Sequence, residues 1–178
     1  PSDYRYIDRL GYMMNGEGFR HDRVVQLWVV ERGTGRSRRL TKGRTDAASP
    51  AWSPDGKRIA FLSGSSAQER AAEANETQMK QLEDDRFDPW FVERIPYRDG
   101  YGKSLLDGRF QQLHVVEARD GAEPRRLTDT NADYSAPEWT ADSAALVTFR
   151  PSEPDADEPS RWDTLYRINT ETGAEAAI

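Results

Sequence analysis

Two stretches of the chain share one pattern of apolar and polar residues. In the first, at residues 49–63, the turn sequence Pro54–Gly56 is followed by the unbroken apolar run Ile59–Leu62. Proline presets the first corner of a β-turn, and glycine accepts the positive φ that some turns require. A run without a polar face is typical of a strand buried on both sides. The pattern therefore predicts a β-hairpin whose second strand lies inside the protein.

The same pattern returns at residues 135–149, where Trp139 follows Trp52 by 87 residues. A similar offset relates two upstream strand patterns, Gln26–Glu31 and Gln112–Glu117. Four short antiparallel strands, with a turn every few residues, are typical of a β-propeller blade of about 40–50 residues. The repeat therefore predicts successive blades of one propeller.

We expect an all-β fold, a partial β-propeller of four-stranded antiparallel blades with one helical insert. A third copy of the strand and turn pattern occupies Leu165–Gly173. Residues 1–178 are accordingly assigned to one propeller domain, with a blade at about 4–63, a helical insert at about 64–90, a blade at about 91–150 and the start of a further blade at 161–178.

The insert differs in composition from the rest of the chain. Ala67–Arg86 is rich in Ala, Glu, Gln, Lys, Met and Leu, which are good helix formers, and Pro89 prevents the helix from continuing. We expect a surface helix that touches the blade mainly through Met79 and Leu82. A degenerate strand at Thr77–Leu82 is the alternative.

The repeat also predicts matched environments for matched residues. Trp52 and Trp139 both stand just ahead of a turn, so both are expected to be buried. Gly56 and Ser143 occupy the same turn position. Gly56 is expected to have positive φ, and Ser143 is expected either to adopt positive φ at some conformational cost or to shift the turn type.

Composition narrows the classes of function. The 178 residues carry a net charge of −6, which argues against nucleic acid or an anionic membrane as the main partner. No apolar run reaches membrane-spanning length, and no cysteine is present for disulfide or thiolate chemistry. We expect a cytoplasmic protein. The first residue is proline rather than methionine, so a signal peptide removed from the N-terminus remains an alternative.

The candidate chemistry is sparse. His114 takes the strand position that Trp28 holds in the other copy, as a packing residue would, and His21 lies in a corner loop. The nucleophile pattern Gly-x-Ser-x-Gly does not occur in the sequence. We therefore assign no catalytic residue and no cofactor site.

The charged clusters likewise provide no candidate functional site. The acidic stretches Glu83–Asp88 and Glu153–Glu158 lack calcium-loop spacing, so we predict solvated loops and no metal site. The basic clusters Arg36–Arg39 and Arg125–Arg126 are flanked by acidic residues and favour ion pairs within the sheet. Trp90–Phe91, if exposed, would mark a contact surface.

One longer motif indicates a family. Pro50–Phe61 reads Pro-Ala-Trp-Ser-Pro-Asp-Gly-Lys-Arg-Ile-Ala-Phe and resembles the WD-like propeller repeat of the TolB-type and prolyl-oligopeptidase families. Three further segments, Arg94–Gly102, Leu106–Arg109 and Gln112–Val116, resemble the propeller of acylaminoacyl-peptidase-like serine peptidases. In that family a propeller caps an α/β-hydrolase domain that carries a Ser-Asp-His triad.

The resemblance implies a non-catalytic propeller segment of a serine peptidase, which gates or helps to bind peptide substrates for a hydrolase domain absent from this chain. The implied partners are the remainder of the propeller, the hydrolase domain and peptides. Open sheet edges would also allow copies of the chain to pair with one another. The alternative is a TolB-like scaffold or protein-interaction propeller with no enzymatic partner domain.

Overall fold

The computed structural model describes residues 13–14, 18–19, 24–42, 45–72, 75–84, 108–152 and 162–178. Two short antiparallel ribbons come first along the chain. β1 (Met13–Met14) pairs with β2 (Gly18–Phe19), and β3 (Trp28–Val30) pairs with β4 (Ser37–Arg39). Most of the remaining described residues belong to two four-stranded sheets.

Each of these sheets is antiparallel, and its strands follow one another in chain order. The first contains β5 (Ala47–Trp52), β6 (Arg58–Ser66), β7 (Arg109–Glu117) and β8 (Arg125–Arg126). The second contains β9 (Ser135–Trp139), β10 (Ala145–Pro151), β11 (Asp163–Asn169) and β12 (Glu175–Ala177). This confirms an all-β fold of four-stranded antiparallel sheets, the form of a propeller blade.

The blade boundaries predicted at about 4–63 and 91–150 do not match these sheets. The hairpin β5–β6 pairs with the strands that follow it, β7 and β8, and β3 pairs with β4 in a ribbon of their own. Likewise, the segment at 161–178 supplies the last two strands of the second sheet instead of beginning a further blade. A periodic sequence fixes the length of a repeat but not the strand at which a sheet begins. The predicted grouping was therefore displaced by two strands.

The insert lies between β6 and β7, the second and third strands of one sheet. It forms two helices, α1 (Ala67–Ala72) and α2 (Glu76–Asp84), rather than the single helix predicted over Ala67–Arg86. The alternative of a strand at Thr77–Leu82 is excluded. The side-chain oxygen of Asn75 accepts a hydrogen bond from a backbone N–H in the first turn of α2 at 3.2 Å. Because such an N-cap residue has non-helical dihedrals, it begins a new helix instead of extending the first.

The insert is attached to the sheet mainly through α1. Arg70 and Ala72 are buried, and α1 packs against β6. Met79 and Leu82 in α2, the residues predicted to make this contact, are only half-buried. No helix in the described part of the chain is long and apolar enough to cross a membrane.

Two apolar clusters hold the sheets face to face, and β6 contributes to both. The cluster between the two sheets contains Ala60, Leu62, Leu113, Val115, Leu127, Tyr134, Leu146 and Ile168. The cluster between the first sheet and the β3–β4 ribbon contains Leu27, Leu40, Ala47, Ile59, Phe61 and Val116. Alternate residues of β6 thus face opposite clusters, which confirms the prediction of a strand buried on both sides.

The first strands of the two sheets, β5 and β9, lie against each other and form sheet edges. Each contains an irregularity at the same place in the repeat, with positive φ at Ser49 (49°) and Ala136 (47°). Pro50 and Pro137 follow these residues and carry no N–H. A bulge and a proline both keep an edge strand from pairing with another chain.

The two repeat tryptophans hold equivalent registers in different environments. Trp52 lies opposite Ile59, and Trp139 lies opposite Leu146. Trp139 packs against the cluster between the sheets, whereas Trp52 is 52% exposed. The prediction that both are buried is therefore wrong for Trp52. Trp139 covers β5 of the neighbouring sheet, whereas Trp52 faces the β3–β4 ribbon, which in the described residues has no strand in the place of β5.

Candidate functional site

His114 lies in β7 as part of the packing between strands. Its ring stacks on Phe61, with the ring centres 5.2 Å apart and the planes inclined by 19°. Its Nδ1 lies 3.1 Å from the carbonyl oxygen of Gln112. This is the packing role that the repeat predicts for the position.

Several other residues considered from the sequence lie outside the described residues, or are described only as helix backbone. These are His21, Glu83, Asp84, Asp85, Asp88, Trp90, Phe91 and Glu153–Glu158. Within the described ranges, no group of three or more His, Asp or Glu side chains could hold a metal ion. The site that the described residues do build is the junction between the first and second sheets.

Trp139 is at the centre of this junction. Its indole N–H donates a hydrogen bond to the carbonyl oxygen of Ala51 in β5 at 2.9 Å. The guanidinium of Arg58 lies 5.0 Å from the centre of the Trp139 ring, within the range of a cation–π interaction. One aromatic side chain of the second sheet therefore contacts two strands of the first.

Arg58 extends from this ring into the turns of the second sheet. Its Nη2 donates to the carbonyl oxygen of Ser143 at 2.5 Å, and its Nη1 donates to the hydroxyl oxygen of Thr170 at 3.2 Å. The carboxylate of Glu171 lies 3.3 Å from the same Nη1. In the opposite direction, the backbone N–H of Asp55 donates to the Ser143 hydroxyl oxygen at 3.2 Å. The turns of the two sheets are thus joined directly.

A second arginine contact occurs at both junctions. Arg38 of β4 donates to the carbonyl oxygen of Ala118 in the turn after β7, and Arg125 of β8 donates to that of Thr170 in the turn after β11. Arg38 also lies 3.5 Å from the carboxylate of Asp120. The prediction of ion pairs within one sheet is wrong for these two arginines, because each reaches the next sheet. Arg38 and Arg125 lie 87 residues apart, which is the offset of the repeat, and this spacing is the sequence signal that they play equivalent roles. The signal identifies a contact between sheets only once the order of the sheets is known.

An aspartate side chain accepts hydrogen bonds within each of the two hairpin turns at this junction and stabilises the turn. Asp55 accepts hydrogen bonds from the Ser53 hydroxyl at 2.6 Å and from the backbone N–H of Lys57 at 3.1 Å. These bonds hold the pKa of Asp55 below its ordinary value. The Thr140 hydroxyl likewise donates a hydrogen bond to the Asp142 carboxylate at 2.6 Å, and this bond lowers the pKa of Asp142.

At the opposite end of the first sheet, the buried Arg70 fixes α1 to the loop after β8. Its guanidinium donates to the carbonyl oxygen of Ser65 at 2.8 Å, to Asn131 Oδ1 at 2.7 Å and to the Asp129 carboxylate. Arg126 lies 3.4 Å from the same carboxylate. Burial alone would raise the pKa of Asp129, but the hydrogen bond from Arg70 and the charges of both arginines outweigh burial and lower it.

The first turn of α1 joins the two ends of the insert. The Glu69 N–H donates to the Ser66 hydroxyl oxygen at 3.1 Å, and the Ser66 N–H donates to Glu69 Oε2 at 2.9 Å, which is a capping box. Glu69 also accepts a hydrogen bond from Arg109 Nε at 3.1 Å. Because Arg109 lies opposite Ser66 in the β6–β7 pairing, the insert leaves the sheet and returns to it at one point.

A further polar cluster links the loop before β9 to β12. The hydroxyl of Tyr134 donates to Glu175 Oε2 at 2.6 Å, and Arg150 Nε donates to Glu175 Oε1 at 2.8 Å. The Arg150 guanidinium lies 4.0 Å from the centre of the Tyr166 ring. Burial is the larger cause and the hydrogen bond to Glu175 the next, and together they raise the pKa of Tyr134 to about 12. These side chains bind one another within the second sheet, so the cluster fixes the loop before β9 to the sheet that follows it.

No protein-family model matches the chain. A curated relative, the uncharacterized peptidase YuxL of Bacillus subtilis (strain 168), is 29% identical over 143 residues, which are 80% of this chain and 20% of that protein. The acylaminoacyl peptidase of Pyrococcus horikoshii superposes with a TM-score of 0.56 and 16% identity, over 86% of this chain and 21% of that one. A putative TolB from Agrobacterium tumefaciens superposes with a TM-score of 0.50 and 16% identity, over 85% of this chain and 40% of that one.

The chain thus spans a fifth of the length of the peptidase YuxL and two fifths of the putative TolB. At these identities the structural matches show the fold, and the fold agrees with the repeated four-stranded sheets. The sequence match to YuxL covers most of the same residues. The chain thus has the blade fold of a β-propeller, which it shares with the putative TolB and the acylaminoacyl peptidase.

Proposed function

We propose that this chain is the non-catalytic propeller segment of a serine peptidase, and that it selects or helps to bind peptide substrates for an α/β-hydrolase domain outside residues 1–178. The observation that carries the proposal is the 29% identity to a peptidase over 80% of the chain. The fold shared with the acylaminoacyl peptidase of Pyrococcus horikoshii supports it.

The junction between the sheets supports a role in substrate selection. An entrance that selects peptides by size must keep its shape, and the contacts of Arg58 and Trp139 fix adjacent sheets relative to each other. The edges of β5 and β9 carry a bulge and a proline each. A peptide passing these edges would not be captured as an added strand, because the backbone donors that strand addition needs are interrupted.

The proposal is tested by assaying the purified 178-residue chain and the longer protein side by side on short blocked peptides, with a serine-directed fluorophosphonate probe. We expect turnover and labelling of the longer protein and neither for the 178-residue chain. Turnover by the 178-residue chain that survives the serine-directed inhibitor would reveal a catalytic site within these residues. Absence of turnover by the longer protein would contradict the peptidase proposal.

A substitution in the junction tests the selective role separately. Two quantities are compared for Arg58→Met in the longer protein. We expect a larger change in the ratio of kcat/KM for long peptides to kcat/KM for short peptides than in kcat for short peptides, because the junction does not touch the reacting bond. Arg119→Met is the matched control, since Arg119 is exposed and pairs with Glu117 at the end of β7. Equal effects on long and short peptides would count against selection by the propeller.

The second candidate is a TolB-like scaffold without an enzymatic domain, which the fold match to the putative TolB favours. The reading frame of the longer protein separates the two candidates. A Gly-x-Ser-x-Gly pattern followed by Asp and His supports the peptidase. A longer protein without that pattern and without fluorophosphonate labelling supports the scaffold.

A further inference from the structure

The two ends of each sheet carry connections of different lengths. At the end where the turns of the two sheets are joined, the strands are connected by short turns such as Pro54–Gly56. At the other end, the chain between β6 and β7 runs from Gly64 to Gln111, which lie opposite each other. At the equivalent place in the second sheet, the chain runs only from Pro151 to Asp163. The longer connection contains α1 and α2, so these helices project from the sheet at the end opposite the junction.

Arg70 fixes α1 at this end through a side chain that is only 5% exposed. Its guanidinium donates to the carbonyl oxygen of Ser65 in β6, and to Asp129 and Asn131. Asp129 and Asn131 lie in the loop that runs from the first sheet to the second. A buried cation is stable only where its donors are paired, and the planar guanidinium holds its partners at fixed angles. The position of α1 is therefore set relative to both β6 and this loop.

The acceptors of Arg70 occur in one copy of the repeat and not in the other. Asp129 and Asn131 follow the Leu-Thr pair of the second copy, and the same places in the first copy hold Lys42 and Arg44. Two cations at these places would repel a guanidinium, whereas a carboxylate and an amide oxygen accept its hydrogen bonds. The first copy lacks the acceptors and still connects β4 to β5, so the acceptors are matched to Arg70 and not to a requirement of the sheets.

We propose that Arg70 is a positioning residue, which holds α1 and α2 where they limit the length of the peptides admitted to the hydrolase domain. The inference rests on the proposed function and names the element that performs the selection. An element that sorts peptides by length must project from the sheets and keep its place. α1 is held by Arg70, α2 packs against α1, and the polar residues 76–78 of α2 are exposed. The short turns at the opposite end are bound to one another.

The test compares variants of the longer protein by hydrogen exchange and by enzyme kinetics. Arg70→Met keeps an apolar stem but removes the hydrogen bonds of the guanidinium. We expect amide exchange in α1 and α2 to become faster, while exchange in β9–β12 stays unchanged. The released helices should admit longer peptides. The ratio of kcat/KM for long peptides to kcat/KM for short peptides should therefore rise about fivefold or more, with kcat for short peptides unchanged.

Arg126→Met is the matched control, because Arg126 lies 3.4 Å from the same Asp129 carboxylate but belongs to β8. It should leave the exchange of α1 and the peptide ratio near their wild-type values. Arg70→Lys keeps the charge but not the planar fork, so it should fall between the wild type and Arg70→Met. If Arg70→Met does not fold, Asn131→Ala takes its place, since it removes one acceptor at an exposed position and should act in the same direction.

Unchanged exchange in α1 and α2 would overturn the role of Arg70, and this measurement requires no substrate. Faster exchange with an unchanged peptide ratio would overturn selection by the helices. A ratio that responds to Arg58→Met but not to Arg70→Met would overturn only this inference, and selection by the propeller would stand. A longer protein without turnover would instead contradict the peptidase proposal itself, and with it the selection of peptides by α1 and α2.

Discussion

The hairpins β5–β6 and β9–β10 are two copies of one sequence pattern that meet different neighbours. Each places a tryptophan at the end of its first strand and an aspartate in its turn. Trp139 packs between two sheets, whereas half of Trp52 faces water. The repeat thus encodes the shape of the hairpin, and the adjacent sheet decides how much of it is buried. Equal motifs therefore need not contribute equally to stability.

Truncation of the two tryptophans should give the largest difference in stability between the two hairpins. Trp139→Ala removes apolar packing, the hydrogen bond to Ala51 and the contact with Arg58, so it should lower the free energy of unfolding by about 3 kcal/mol. Trp52→Ala should lower it by about 1 kcal/mol or less, because the side chain is half exposed. Urea denaturation followed by circular dichroism measures both, and equal losses would contradict the distinction.

The next effect in size comes from Arg58, whose counterpart in the second hairpin is Ala145. Arg58→Met keeps the aliphatic stem but removes the hydrogen bonds to Ser143 and Thr170, so it should reduce the free energy of unfolding by about 1–2 kcal/mol. Arg119→Met removes an equal charge at an exposed position and should stay within about 0.5 kcal/mol of the wild type. If both variants lose the same stability, the junction is not the cause.

Exchange of the turn residues sharpens the comparison further. Gly56 and Ser143 both have positive φ, 69° and 58°, so the prediction for Gly56 is confirmed, and of the two alternatives for Ser143 the structure shows positive φ. Gly56→Ser should cost about 1 kcal/mol through backbone strain alone, since a Cβ there would meet no heavy atom within 4 Å. Ser143→Gly should change little, because relief of about 0.5–1 kcal/mol of strain is offset by the lost hydrogen bond from Asp55. Calorimetric melting tests both, and a clear loss for Ser143→Gly would show that its hydroxyl dominates.

The smallest difference at neutral pH concerns Tyr134, which stands where the first repeat has Ala47. The folded state raises the Tyr134 pKa from 10.0 to about 12. A raised pKa stabilises the fold below pH 10, and that contribution is lost as pH rises from 10 to about 12. Tyr134→Phe should therefore show a shallower decline of stability over this interval. Urea midpoints at a series of alkaline pH values give the slopes, and parallel slopes would contradict the pKa assignment.

Features that depend on local chemistry could be predicted from the sequence. The Pro54–Gly56 turn, the buried strand after it and the helical nature of the insert each follow from a short run of residues. The exposure of Trp52 and the reach of Arg125 into the next sheet could not be predicted. Both depend on which strands share a sheet, and the β6–β7 pairing joins residues far apart in the sequence. The assignment of no catalytic residue stays a prediction, which the side-by-side assay addresses.

The position of the insert inside a sheet has a consequence for the order of folding. Ser66 lies opposite Arg109, 43 residues further along the chain, whereas Pro151 lies opposite Asp163, only 12 residues further. Loop-closure entropy grows with the logarithm of loop length, so the longer closure costs about 1 kcal/mol more. We therefore expect β10 and β11 to pair early, and the first sheet to complete itself later against the apolar face they present. The chain would then acquire its structure from its C-terminal half towards its N-terminal half.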